Sequence, residues 1–72
     1  MSYAKLRGKI KEVFGTQEAF AKAMEMNTVS VSHRLNNKLE WKTNEIVKAC
    51  MVLGIPLEDN AAYFFTKEVK KS

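Results

Sequence analysis

Apolar residues recur along most of this chain at helical spacing. Leu6, Ile10, Val13 and Phe14 fall at i, i+4, i+7 and i+8, one face of a helix, while Lys5, Lys9, Lys11 and Glu12 lie elsewhere around it. Gly15 then supplies the left-handed residue that stops this helix. Gly8, inside it, costs about 1 kcal/mol relative to Ala, either as a tolerated loss or as the mark of a close helix contact. Thr16 is placed to cap a second helix of about two turns, carried by Gln17, Glu18 and the helix-favouring run from Phe20 to Met24. Asn27 caps a third helix that reaches Leu35, ahead of Asn36 and Asn37, residues that tolerate a left-handed C-cap. Met26 and Val31 stand at N′ and N4 of this third helix, the spacing of a hydrophobic staple, which fixes the angle at which the chain comes into it.

Further on, Leu39 and Trp41 read as anchors that pin a short connection to the core. Thr43 is expected to cap a fourth helix with Ile46, Val47, Cys50 and Leu53 on its buried stripe, ended by Gly54, Ile55 and Pro56. Pro56 to Ala62 fits a fifth, short helix with Pro at its first position and Glu58 and Asp59 near its positive end. Met24, Met26 and Met51 read as core, and Cys50 as a small buried hydrophobe. Tyr63, Phe64 and Phe65 cannot all face inward from one helix. Either Phe64 and Phe65 close the monomer core and only Tyr63 shows, or the cluster covers a subunit contact in a homodimer.

Composition narrows the class. The 72 residues contain three Gly and one Pro, which disfavours a sheet protein dense in tight turns, and they make one domain, residues 1–72. A lone cysteine, Cys50, and a lone histidine, His33, leave no disulfide, no metal cluster and no Cys/His dyad. Without paired carboxylates or a Gly-rich phosphate loop, the chain reads as a non-enzyme with no cofactor, metal or small-molecule substrate. The longest apolar run, Ala49 to Leu53, is too short for a membrane span, and the charged N-terminus does not read as a secretion signal, so a cytoplasmic protein is expected. The net charge of +4 is unevenly spread. Lys5, Arg7, Lys9, Lys11, Lys22 and Arg34 outnumber Glu12, Glu18 and Glu25 before residue 37, and residues 66–72 form a short basic tail, whereas residues 43–66 are net acidic. That bias suits a polyanionic partner on the first three helices.

Gln17 to Leu35 has the layout of a helix-turn-helix: two short helices, a turn of three to four residues, and a capped, stapled second helix. The run Thr16-Gln17-Glu18-Ala19-Phe20-Ala21-Lys22-Ala23-Met24, with Met26-Asn27, Val31-Ser32, Leu35-Asn36 and the later Leu53-Gly54-Ile55-Pro56-Leu57-Glu58, resembles the phage repressor/Cro-like helix-turn-helix family. Leu6-Arg7-Gly8-Lys9-Ile10, Trp41 and Tyr63-Phe64-Phe65-Thr66 look most like the short single-domain switch proteins of prophages in Gram-positive bacteria. The resemblance implies an all-α fold, a compact five-helix bundle of the lambda-repressor-like DNA-binding kind, whose third helix lies in the major groove of operator DNA. It implies that Thr28, Val29, Ser32 and His33 face base edges, and that Gln17, Asn27, Arg34, Asn36, Asn37 and Lys38 contact phosphates.

Two departures open a second reading. Glu25 stands where that family has Gly in the turn, adding about 1 kcal/mol of backbone strain and a negative charge near the DNA side. The base-facing positions hold no Gln, Asn, Lys or Arg, the side chains of strong bidentate readout. The main reading is a Cro-like regulator that binds double-stranded operator DNA in the lysis-lysogeny switch. The alternative is an antirepressor, or modulator of repression, that binds the partner phage repressor's DNA-binding domain, with Met26, Val29 and Tyr63 as contact candidates.

Overall fold

Each expected stop residue ends a helix in the computed structural model, which describes residues 3–64. Helix α1 (Ala4–Phe14) ends at Gly15 with φ +85°, and α2 (Gln17–Met24) ends at Glu25, a non-glycine residue in the left-handed region at φ +60°. Helix α3 (Thr28–Leu35) is followed by a turn in which Asn37 takes φ +65°, and α4 (Thr43–Leu53) ends at Gly54 with φ +72°. A 3₁₀ turn (Leu57–Asp59) leads into α5 (Asn60–Phe64). Among the described residues there is no strand, so the architecture is the expected all-α bundle of five helices.

The caps account for where helices begin. Thr16 Oγ1 accepts the Ala19 N–H at 3.1 Å, and Asn27 Oδ1 accepts the Val29 N–H at 2.7 Å, each satisfying a donor that the first turn leaves free. Helix α4 differs from expectation. Thr43 is its first residue rather than its cap, and Glu45 reaches back to accept the Lys42 backbone N–H at 2.9 Å. The fifth helix also starts later than the Pro56 signal implied, because the extended Pro56 feeds a 3₁₀ turn first, and it runs on through Tyr63 and Phe64.

One core joins all five helices. Leu6 and Ile10 of α1, Phe20, Ala21 and Met24 of α2, Val31 and Leu35 of α3, and Ile46, Ala49, Cys50 and Leu53 of α4 are buried together with Ile55 and Phe64. Met26 packs half-buried against this cluster and Val31 is fully buried, so both ends of the expected staple turn inward. Trp41 meets Phe64 edge-on, with ring centroids 5.3 Å apart, and so does the anchoring expected of it. Burial raises the Cys50 thiol above its ordinary value and keeps it protonated, as befits a small core hydrophobe.

Several apolar positions face solvent, on α1 and α4 and, in the case of Leu39, in the connection between α3 and α4, which it does not anchor. Val13, Leu39 and Val47 are exposed, and Met51 is 74% exposed, whereas Ala49 takes the place on the α4 stripe expected of Val47. Stepping 100° per residue from Ile46 puts Ala49 and Leu53 on its flank and Met51 almost opposite, so the helix geometry itself corrects the assignment. Gly8 has open space where a Cβ would stand, which removes a close helix contact as its reason. Tyr63 is half-exposed beneath Lys5, whose Nζ lies 5.0 Å from the ring centroid. Phe65 and the basic tail 66–72 lie outside the described residues.

Candidate functional site

Helix α3 buries Val31, Arg34 and Leu35 and turns Thr28, Val29 and His33 outward, with Ser32 half-exposed between them. The four residues expected to face base edges therefore share one face. Val29 is 59% exposed and stands one turn from His33, so the middle of this face is aliphatic and imidazole rather than charged. The Ser32 hydroxyl accepts a hydrogen bond from Asn36 Nδ2 at 3.3 Å. Glu25, at the end of α2, adds a carboxylate that accepts from Lys48 Nζ of α4 at 3.1 Å.

The residues expected at phosphates fare differently. Arg34 is only 9% exposed. Its Nε donates to Glu45 Oε1 and its Nη2 to Glu45 Oε2, both at 3.0 Å, while Nη1 donates to the Ser30 carbonyl at 3.1 Å. The outward, phosphate-facing position expected of Arg34 is thus not where its side chain lies: its position between Val31 and Leu35 on the helix turns it towards α4. Burial alone would raise the Glu45 carboxyl, but the Lys42 backbone N–H and the Arg34 guanidinium outweigh it and hold the group below its ordinary value. Asn36 Oδ1 accepts from Arg7 Nη2 at 2.8 Å, and the same nitrogen donates to the Leu35 carbonyl at 3.0 Å, so α1 clasps the end of α3. Asn27 is spent on its cap. Asn37 and Lys38 are exposed in the turn beyond α3, and Gln17, half-exposed, lines a hollow of about 290 Å³ with Arg7 and Lys11.

Sequence reasoning missed Arg7, Glu45 and Lys48, the three partners that tie α3 and the turn before it to the rest of the bundle. A signal for the Arg34–Glu45 pair was present: Val31, Arg34 and Leu35 sit at i, i+3 and i+4, so Arg34 shares the buried stripe and needs a buried partner. Among the described residues no group of three or more His, Cys, Asp or Glu is placed to hold a metal ion, and no helix is long and apolar enough to cross a membrane.

Fold and site together define a small all-α protein whose exposed third-helix face carries an aliphatic centre and no Lys or Arg side chain. The chain belongs to the family described as protein of unknown function DUF739, which matches residues 1–67. Its fold is similar to the solution structure of the modulator of repression (MOR) of the temperate bacteriophage TP901-1 from Lactococcus lactis. The TM-score is 0.80 at 46% sequence identity, covering 90% of this chain and 88% of that one. No curated protein matches the chain.

Proposed function

We propose that this chain modulates repression in a temperate phage's lysis-lysogeny switch by docking the exposed face of α3 onto the DNA-binding domain of the phage repressor. The observation that carries this reading is the makeup of that face. It centres on Val29 at 59% exposure, and the one arginine of the helix is held inside by Glu45. A phosphate backbone demands cations, whereas an aliphatic and hydroxyl face suits a protein surface. The 46% identity to a modulator of repression over most of both chains supports the same role.

The operator-binding reading keeps two supports, the net charge of +4 and the exposed Asn37 and Lys38 beyond α3. It requires base readout from Thr28, Val29, Ser32 and His33, none of which forms the strong bidentate contacts. Size-exclusion chromatography with the phage repressor's DNA-binding domain tests the docking reading. A joint peak is expected for the native chain and for Gln17→Ala, and separate peaks for Val29→Asp. Separate peaks for the native chain would overturn it.

A further inference from the structure

The turn between α3 and α4 encloses an open groove of about 900 Å³ that the recognition face does not use. Trp41 and Leu39 line it, and they differ in kind from a phosphate site: Leu39 is exposed although aliphatic, and Trp41 is half-exposed. The Trp41 Nε1 is the one buried side-chain polar atom among the described residues without a hydrogen-bond partner. Lys38 and Lys42 also line the groove, both exposed, while Arg34 in its wall is neutralised by Glu45. Glu40 is the only acidic residue of the lining.

We infer that this groove is a second docking site, taking a short acidic segment of a protein partner that carries an aliphatic side chain between its carboxylates. The aliphatic group would cover Leu39 and the indole, and the carboxylates would meet the ammonium groups of Lys38 and Lys42. Charge complementarity fixes the sign of the occupant, and the apolar lining fixes its class. A nucleic-acid backbone would satisfy the lysines but leave Leu39 bare and bring phosphates up to Glu40. None of Thr28, Val29, Ser32 and His33 lines the groove, so an α3 face docked on a protein leaves it open, whereas an operator would share Lys38 with it.

Trp41 is the only tryptophan of the chain, so its emission reports on the groove directly. The capped hexapeptide DLEDLE serves as probe, with NLQNLQ as its uncharged counterpart and a random DNA duplex as the alternative ligand. The full chain should show a saturable change in Trp41 emission with DLEDLE that weakens as salt rises, and none with NLQNLQ. Lys38→Gln combined with Lys42→Gln should weaken binding at least tenfold, and Leu39→Ser should weaken it through the aliphatic contact. Val29→Asp should bind the peptide as the native chain does, which separates this site from the docking of α3. No change in emission with DLEDLE up to about 1 mM would overturn the proposal. So would a saturable response to the duplex alone, which would make the groove a phosphate site.

Discussion

Arg34 and Glu45 face each other across the α3–α4 boundary as a two-pronged ion pair, Nε to Oε1 and Nη2 to Oε2, each at 3.0 Å. Glu45 also accepts the Lys42 N–H, so one carboxylate holds the start of α4 and the exposed helix α3 in a fixed relation. Glu45→Ala leaves the guanidinium largely buried and unpaired. Chemical denaturation should show a loss of about 2–4 kcal/mol, below the full cost of breaking a buried pair because both groups border solvent. Replacing both partners, Arg34→Met with Glu45→Leu, should recover most of that loss, since two apolar groups need no pairing.

The same pair sets an acid limit. The Glu45 carboxyl titrates below its ordinary value of 4.5 in the folded chain, so its stabilising contribution is complete above that value and is lost as pH falls through the lowered one. The stability difference between the native chain and Glu45→Gln should therefore be constant near neutral pH and shrink below about pH 4.5. A difference that grows on acidification would contradict the assignment.

Glu25 occupies the left-handed region at φ +60° with its side chain mostly in solvent. Glu25→Gly relieves about 1 kcal/mol of backbone strain and gives up an exposed ion pair with Lys48 worth less than that. The thermal midpoint should rise by about 2–5 °C.

Gly8 is exposed in the middle of α1 with nothing near the place of a missing Cβ. Gly8→Ala should stabilise the chain by about 0.5–1 kcal/mol through helix propensity and leave all binding unchanged. An unchanged or lower midpoint would mean that the position answers to something other than the fold.

Much of this architecture was legible in local chemistry. Thr16, Asn27, Gly15 and Gly54 act through hydrogen bonds and backbone angles that depend only on their immediate neighbours, and they appear where their residue types placed them. Val13 and Met51 misled because apolar character does not say which side of a helix is covered, and Leu39 because it does not say whether a connection folds back on the core. Arg34 misled for the opposite reason: its charge suggested solvent although its spacing put it on the buried stripe with Val31 and Leu35, and the partner that lets it stay there, Glu45, lies eleven residues on and one helix away. The face of α3 was legible as geometry. Its lack of a Lys or Arg side chain depends on that long-range pair, and so could not be read from the helix alone.

Competition on the phage's own operator separates an α3 that meets a repressor from one that meets DNA. With labelled operator duplex held by the repressor, adding the native chain should release free duplex without forming a new band. Val29→Asp should leave the repressor in place. A band formed by the chain and operator alone, selective over random duplex and steeply weakened by salt, would contradict the account.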